Sequence, residues 1–285
     1  MKRLSEAFRV KMGKFSAALI VILLTGSVIH SNAQTYTISV ADSSLQVNLG
    51  GGITGWTVNG VNQLANQWFY YTSGGLEYPI NTLSSPSAPV FGGTSFGGVT
   101  LSTNVSTTYA NSSLSLTTKY SLAQQGNGAA LSTTITLQNT SASSETLQFY
   151  QLSDFTLGGI SSGQSVNFLE TTYPFGVTQA GGGLLLNGSL SGVGLGTSVP
   201  VEEVAGTGNF GLGNGNTAPT FSDSPLSATG NVAYAYEFNV TLAGNSGITI
   251  SELQAVPEPS SMALLGLGII GLGISGARKL NFSKK

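Results

Sequence analysis

Acidic side chains are the residues of this sequence best suited to catalysis. Two carboxylates held about 5–10 Å apart across a glycosidic bond would form the acid–base pair of a glycosidase. Five acids of the central region are candidates for such a pair: Asp154, Glu170, Glu202, Glu203 and Glu237. Their spacing along the chain selects no pair. Neighbouring strand residues point to opposite faces, so Glu202 and Glu203 could not share one catalytic site in a regular strand. We therefore interpret this pair of acids as part of a solvated edge.

Other common catalytic groups are scarce. The sequence has no cysteine, and its single histidine, His30, lies in a segment that we expect to be removed. Without them the mature chain lacks the Ser-His-Asp triad, the Cys-His pair and the histidine-ligated metal site. We therefore predict a protein that is not an enzyme and has no cofactor and no metal site.

Aromatic residues are concentrated within a short stretch that follows the first strands. A polysaccharide-binding platform would use its exposed rings, and the candidates are Trp56, Trp68, Tyr70, Tyr71 and Tyr78. The continuous apolar run Trp68–Tyr71 is also typical of a buried strand, so core and platform remain alternative interpretations.

Charge is distributed unevenly along the chain. Residues 32–255 contain ten acids and one base, Lys119, which gives this region a formal net charge of −9. Nucleic-acid binding requires clustered basic residues that neutralise phosphates, and this acidic body excludes it.

The central region alternates apolar and polar residues with period two, which predicts an all-β domain that is an antiparallel β-sandwich or jelly roll. A β-helix is the alternative. Turn residues predict a hairpin at Asn59-Gly60, a three-stranded meander over 114–152 and a last strand at Ile248–Leu253. Two glycine- and proline-rich stretches, Ser84–Gly98 and Ala205–Pro225, are interpreted as loops.

The N-terminus has the pattern of a secretory signal peptide. Basic residues precede a short apolar run, and small residues before Gln34 predict cleavage between Ala33 and Gln34. At about 15 residues the apolar run is shorter than the roughly 20 that a membrane-spanning helix needs. We expect residues 1–33 to direct export through the Sec translocon.

The C-terminus combines three elements in a fixed order. The motif Val256-Pro257-Glu258-Pro259 comes first, and an uncharged run at 261–277 predicts a transmembrane helix. Basic residues then predict a cytoplasmic stop, and they are Arg278, Lys279, Lys284 and Lys285.

Together these elements resemble the PEP-CTERM sorting domain of exported bacterial proteins, over about 30 residues. The resemblance implies recognition and cleavage near the Pro-Glu-Pro motif by an exosortase. It also implies transient anchoring in the inner membrane of a Gram-negative-type bacterium, followed by transfer to the cell surface or extracellular matrix. Three segments follow: a signal peptide (1–33), an exported all-β domain (34–255) and a sorting signal (256–285).

We therefore expect a non-enzymatic surface or matrix protein that is an exosortase substrate. The first alternative is a carbohydrate-binding module for exopolysaccharide, using the aromatic stretch. The second is a carboxylate-based glycoside hydrolase.

Overall fold

A computed structural model describes residues 34–84, 86–126, 128–169, 175–192, 195 and 199–256 of the 285-residue chain. These residues form strands almost throughout, with helical structure limited to single turns at Ile80–Thr82 and Leu157–Gly159. The all-β prediction is confirmed. In chain order the strands are β1 (Thr35–Val40), β2 (Ser43–Asn48), β3 (Gly52–Val58), β4 (Val61–Ser73), β5 (Leu76–Pro79), β6 (Val90–Phe96), β7 (Val99–Ala110), β8 (Leu114–Gln125), β9 (Gly128–Asn139), β10 (Glu145–Phe155), β11 (Gln164–Phe168), β12 (Phe175–Gly181), β13 (Leu184–Gly192), β14 (Val201–Gly206), β15 (Ser227–Gly230), β16 (Ala233–Leu242) and β17 (Gly247–Val256).

The strands build two antiparallel sheets. The first sheet has the order β1-β2-β3-β4-β10-β16-β14, with β5 paired to the end of β4. The second sheet has the order β15-β11-β12-β13-β17-β9-β8-β7-β6. A β-helix needs parallel coils, so the antiparallel pairing of the described strands excludes that alternative.

A shared hydrophobic core lies between the sheets. Strand β16 shows how the sequence produces it: its even-numbered residues, from Tyr234 to Leu242, are buried in this core. The intervening Ala233 and Ala235 are also buried, in a smaller cluster on the outer face of the first sheet. Alternation therefore fixed which residues share a face, and both faces are covered along most of this strand.

The Asn59-Gly60 hairpin is present as predicted. Val58 pairs with Val61 across it, and the two turn residues have φ values of +53° and +75°. Positive φ at both positions is the geometry of a tight hairpin turn, which asparagine and glycine tolerate best.

The predicted meander is wrong in its third strand. Strands β8 and β9 pair along their whole length, whereas β10 lies in the first sheet between β4 and β16. The other edge of β9 is occupied by β17, which pairs with it from Gly247 to Val256. The Asn139 side chain donates to the Ser143 and Leu242 carbonyl oxygens, at 2.7 and 3.2 Å, and holds the crossing between sheets.

Two further boundaries differ from the sequence-based expectation. The stretch interpreted as a loop, Ser84–Gly98, contains β6, which pairs with β7 as the edge strand of the second sheet. The last strand extends to Val256, whose side chain is buried in the core. Backbone pairing with a neighbouring strand outweighs the weak strand propensity of the glycines in β6.

Candidate functional site

An open cleft of about 500 Å³ lies on the outer face of the first sheet. Its floor comes from β4, β10 and β16, and its walls come from the connections on either side of β15. The cleft is lined by Asn66, Trp68, Tyr70, Leu152, Asp154, Gly208, Asn209, Asn231, Val232 and Ala233.

Strand register brings the floor residues together. Asn66, Asp154 and Ala233 are direct partners across three neighbouring strands. Trp68 and Leu152 form the next pair two residues along. Directly opposed residues in antiparallel strands share a face, so residues almost 170 positions apart meet at one surface.

Asp154 is the acidic residue of this cleft. Its side chain is half-buried, and burial raises the pKa of its carboxyl group above the ordinary value. A raised pKa favours the protonated form, in which one carboxyl oxygen donates a hydrogen bond and the other accepts one. Asp154 also lines the open cleft, where its carboxyl group can meet a bound molecule.

Trp68 provides an apolar surface beside Asp154. Gly51 packs so closely that an added Cβ would lie 2.4 Å from the Trp68 ring. The indole therefore packs against the Gly51 backbone, while its side chain stays partly exposed. A supported, partly exposed aromatic ring is the usual surface on which sugar rings stack.

A glycine-rich strap, residues 207–226, packs on the same outer face beside the cleft. Tyr150 donates its hydroxyl to the Pro219 carbonyl oxygen at 2.7 Å. Glu77 accepts the Gly213 N–H at 3.0 Å. Glu237 accepts the Phe221 N–H at 2.7 Å. Buried carboxylates thus hold the strap through its backbone, and the strap places Gly208 and Asn209 at the cleft wall.

The strap also changes the environment of Tyr70. Burial, with a smaller contribution from the nearby Glu77 carboxylate, raises the pKa of Tyr70 to about 12. The phenol therefore stays protonated at neutral pH. An added Cβ at Gly213 would lie 3.2 Å from its hydroxyl oxygen, so strap and tyrosine are in close contact.

A second polar cluster lies between the sheets and does not reach the cleft. Glu252 of β17 is fully buried and receives hydrogen bonds from Gln67, Gln151 and Tyr234 of the first sheet. Burial raises its pKa to about 7, although these hydrogen bonds oppose the shift. Because water is excluded there, we interpret this cluster as a structural link between the sheets.

Glu203 corrects the interpretation of the paired acids. Its side chain points into the core with no exposed surface, so it is not part of a solvated edge. Neither carboxylate oxygen has a hydrogen-bond partner among the described residues. Burial, together with the nearby Asp223, raises its pKa to about 8. Glu202 lies on the opposite face, as period two requires.

The remaining predicted carboxylates do not converge. Glu237 is buried beneath the strap, and Asp154 is in the cleft. Glu170 lies outside the described residues. Across the described part of the chain, His, Cys, Asp and Glu side chains form no group of three or more suited to a metal ion.

The predicted aromatic platform is divided between two surfaces. Trp68 and Tyr70 line the cleft. Trp56 and Tyr71 are buried in the core, and Tyr78 packs against it. Period two explains the division, because Phe69 and Tyr71 face inward when Trp68 and Tyr70 face outward.

Three asparagines of the cleft escaped the sequence analysis: Asn66, Asn209 and Asn231. They were hidden because asparagine is common in loops and strand edges of this chain. The one available signal was the period-two spacing of Asn66, Trp68 and Tyr70.

Several predicted features fall outside the described residues. They include Ala33, the signal segment, Pro257-Glu258-Pro259, the 261–277 run and the basic residues Arg278, Lys279, Lys284 and Lys285. Gln34, just before β1, is exposed. No helix within the described ranges has the length and apolar character needed to cross a membrane.

The fold and the cleft together define the class of this molecule. It is an all-β protein in which the outer face of one sheet carries an aromatic ring, Trp68, beside a carboxyl group, Asp154. A family model described as the PEP-CTERM protein-sorting motif matches residues 255–279. This match confirms the resemblance noted in the sequence, is consistent with an exosortase substrate, and implies an exported protein that passes a membrane. No curated protein matches the chain.

Solved structures of similar shape were found. A bacterial glucoamylase complexed with acarbose has a TM-score of 0.49 and 11% identity, over 85% of this chain. The present chain spans only 36% of that glucoamylase chain. A galactose mutarotase related enzyme from Lactobacillus acidophilus has a TM-score of 0.45 and 8% identity, over 79% of this chain and 98% of its own. A galactose mutarotase-like protein from Lactobacillus casei has a TM-score of 0.37 and 8% identity, over 79% of this chain and 100% of its own.

The prediction of a non-enzymatic surface or matrix protein is corrected here, because two of the similar structures are described as a glucoamylase and as a galactose mutarotase related enzyme. The prediction that the chain is not an enzyme is unsupported. At these identities and TM-scores, none of the matches assigns an activity to this chain.

Proposed function

We propose that this chain is an exported β-sandwich protein that binds a reducing sugar in the outer cleft and interconverts its anomers. The observation that carries the proposal is the placement of the Asp154 carboxyl beside the Trp68 ring in one open cleft. An apolar ring and a proton-transferring group on one surface are what acid–base chemistry on a sugar requires.

Binding would use the cleft's two kinds of surface. The Trp68 ring offers apolar area to the C–H face of a pyranose, and the buried Tyr70 ring lies beside it in the cleft floor. The amides of Asn66, Asn209 and Asn231 each supply donors and acceptors for sugar hydroxyls. Residues 32–255 contain one basic residue, Lys119, so the site suits a neutral sugar better than a phosphorylated or acidic one.

The chemistry would be ring opening at the hemiacetal carbon. The anomeric hydroxyl and the ring oxygen share one carbon, and their spacing resembles that of the two oxygens of a carboxyl group. Protonated Asp154 donates its proton to the ring oxygen, while its second oxygen accepts the proton of the anomeric hydroxyl. The bond between the anomeric carbon and the ring oxygen breaks, the open-chain aldehyde forms, and the carboxyl is regenerated. Rotation of the aldehyde and the reverse steps give the other anomer.

Glycoside hydrolysis fits this cleft less well. Both hydrolytic mechanisms require two carboxylates flanking the scissile bond. Among the described residues lining the cleft, Asp154 is the one carboxylic acid. Ring opening needs only this single group, because one carboxyl can transfer both protons.

Export is the second part of the proposal. We infer that residues 1–33 are a cleaved signal peptide for the Sec translocon and that 34–255 form the exported domain. Residues 261–277 would anchor the chain in the inner membrane until an exosortase cuts near Pro257-Glu258-Pro259. The released domain would then act at the cell surface, where exopolysaccharide is a source of reducing sugar ends.

The activity is tested by NMR exchange spectroscopy of the anomeric protons in a panel of neutral reducing sugars. This experiment measures the rate at which the two anomers interconvert. We expect the wild-type protein to accelerate at least one sugar, and Asp154→Asn to lower that acceleration about 100-fold or more. Asp42→Asn is the matched control, because Asp42 is an exposed turn acid outside the cleft. Equal rates for wild type and Asp154→Asn would refute the proposed role of Asp154.

A further inference from the structure

The β6–β7 hairpin carries exposed apolar side chains at its tip. Phe96 is 81% exposed and Val99 is 58% exposed, on either side of the Gly97-Gly98 turn. The two residues are direct partners across the hairpin, so their side chains share one face. Two large apolar side chains paired at an exposed tip contribute little to the core and form a candidate interaction surface.

The register of the second sheet fixes which end of the sheet this tip occupies. One row of direct partners crosses five adjacent strands, through Ala255, Ala130, Ala123, Ser102 and Thr94. On one side of this row the chain leaves β17 at Val256 toward the sorting motif. The hairpin tip lies on that same side, at the edge of the sheet.

Distances along the chain agree with this placement. Phe96 is two residues beyond Thr94 along β6, so the tip extends about 7 Å beyond the row. Four strand spacings separate the tip from β17, or about 19 Å. The segment from Val256 to Met262, where the apolar run begins, spans at most about 20 Å when extended. A membrane that held the apolar run would therefore lie within reach of the tip.

We propose that Phe96 and Val99 insert into the interface of the lipid bilayer while the chain is anchored by its C-terminal apolar segment. This inference rests on the anchoring part of the proposed function. Anchor and hairpin would form two membrane contacts at one end of the second sheet and restrict the tilt of the domain. Hairpin insertion would then hold the Pro-Glu-Pro motif close to the membrane surface, where a membrane-embedded protease acts.

The chemistry of the hairpin favours a neutral lipid surface over a charged partner. Residues 90–101 contain no Asp, Glu, Lys or Arg. The body has a net charge of −9 over residues 32–255, which would oppose binding to anionic lipids. Apolar side chains without basic neighbours fit a zwitterionic bilayer, in which contact depends on the hydrophobic effect alone.

The absence of cysteine makes the test direct. Full-length Phe96→Cys would be labelled with an environment-sensitive fluorophore and reconstituted into phosphatidylcholine vesicles, with and without lipid-borne spin-label quenchers. Ser112→Cys is the matched control, because it is an exposed turn residue at the opposite end of the β7–β8 pair. We expect a blue shift and strong quenching at position 96, and neither at position 112.

Each other result would overturn the inference in a recognisable way. Failure of the full chain to float with vesicles would refute the anchor and the insertion together. If the chain floats with vesicles but the fluorophore at position 96 reports an aqueous environment, the insertion is refuted and the anchor is not. A blue shift in the absence of lipid would show that the tip contacts protein instead of a bilayer. A shift that depends on protein concentration would identify a second copy of the chain, and a shift that does not would identify the chain's own apolar segment.

Discussion

Tyr234 donates its hydroxyl to Glu252 across 3.0 Å, and this hydrogen bond joins the two sheets through the middle of the core. Gln254 donates to the same tyrosine hydroxyl at 3.0 Å, and Gln67 donates to the second carboxylate oxygen at 2.9 Å. Removing Glu252 would take away the acceptor that Tyr234, Gln67 and Gln151 share in the buried core. Such losses cost more than the net value of one hydrogen bond.

We predict that Glu252→Ala lowers the free energy of unfolding by about 3 kcal/mol, since it leaves a cavity and several unpaired donors. Glu202→Ala, a partly exposed residue at the edge strand β14, should change it by about 0.5 kcal/mol or less. Urea denaturation of both variants measures the difference. Equal stabilities would show that the core network contributes little.

The buried acids should make stability fall as pH rises. Burial raises the pKa of Glu203 to about 8 and that of Glu252 to about 7, from an ordinary value of 4.5. Between pH 4.5 and these values the folded state binds more protons than the unfolded state. The stability that Glu203 and Glu252 contribute is therefore fully present below about pH 4.5 and is lost as the pH rises to about 8. The free energy of unfolding falls by at most about 1.4 kcal/mol per pH unit for each group. Unfolding measured from pH 5 to 9 tests this, and Glu203→Gln should flatten the upper part of the curve.

The two tryptophans should respond differently to truncation. Trp68→Ala is expected to leave the fold intact and to weaken sugar binding about tenfold, or about 1.4 kcal/mol. Trp56→Ala should destabilise the protein by about 3–5 kcal/mol, because Trp56 is fully buried and donates to Ser43 at 3.1 Å. Thermal unfolding and sugar titration separate the effects. Loss of folding in Trp68→Ala would assign that ring to the core instead.

Loosening the strap should impair the cleft without unfolding the sheets. Glu77→Ala removes the acceptor of the Gly213 N–H, which is buried beneath the strap. We expect faster amide hydrogen exchange in residues 207–221, unchanged exchange in β8 and β9, and weaker sugar binding because Asn209 loses its fixed position. Glu145→Ala, at the start of β10, is the control. Unchanged exchange in the strap would contradict its attachment through Glu77.

The sorting motif predicts a processing defect. Replacing Pro257-Glu258-Pro259 with alanines should leave an uncut, membrane-retained chain in the native host, because the exosortase would no longer recognise it. Intact-mass analysis of the released protein and fractionation of cells measure the outcome. Release at unchanged mass would make the motif a linker only.

Local patterns in the sequence determined several features of this protein. Period two predicted strands whose alternate residues share a face, and Asn59-Gly60 predicted a hairpin, because both depend on residues that are neighbours in the chain. The C-terminal motif was equally readable, since a sorting signal is recognised as a linear segment. The family match at residues 255–279 confirms that resemblance.

Only the tertiary structure decided how these strands combine. Strand β10 left the expected meander because β17, more than a hundred residues later, occupies the edge of β9. Alternation placed Trp68 and Phe69 on opposite faces, and it could not tell which face would be covered. The strap and the second sheet decide that, and both contact β4 from distant parts of the chain. Asn66, Asp154 and Asn231 meet at one cleft for the same physical reason: strand pairing is set by non-local burial, and sequence spacing carries no record of it.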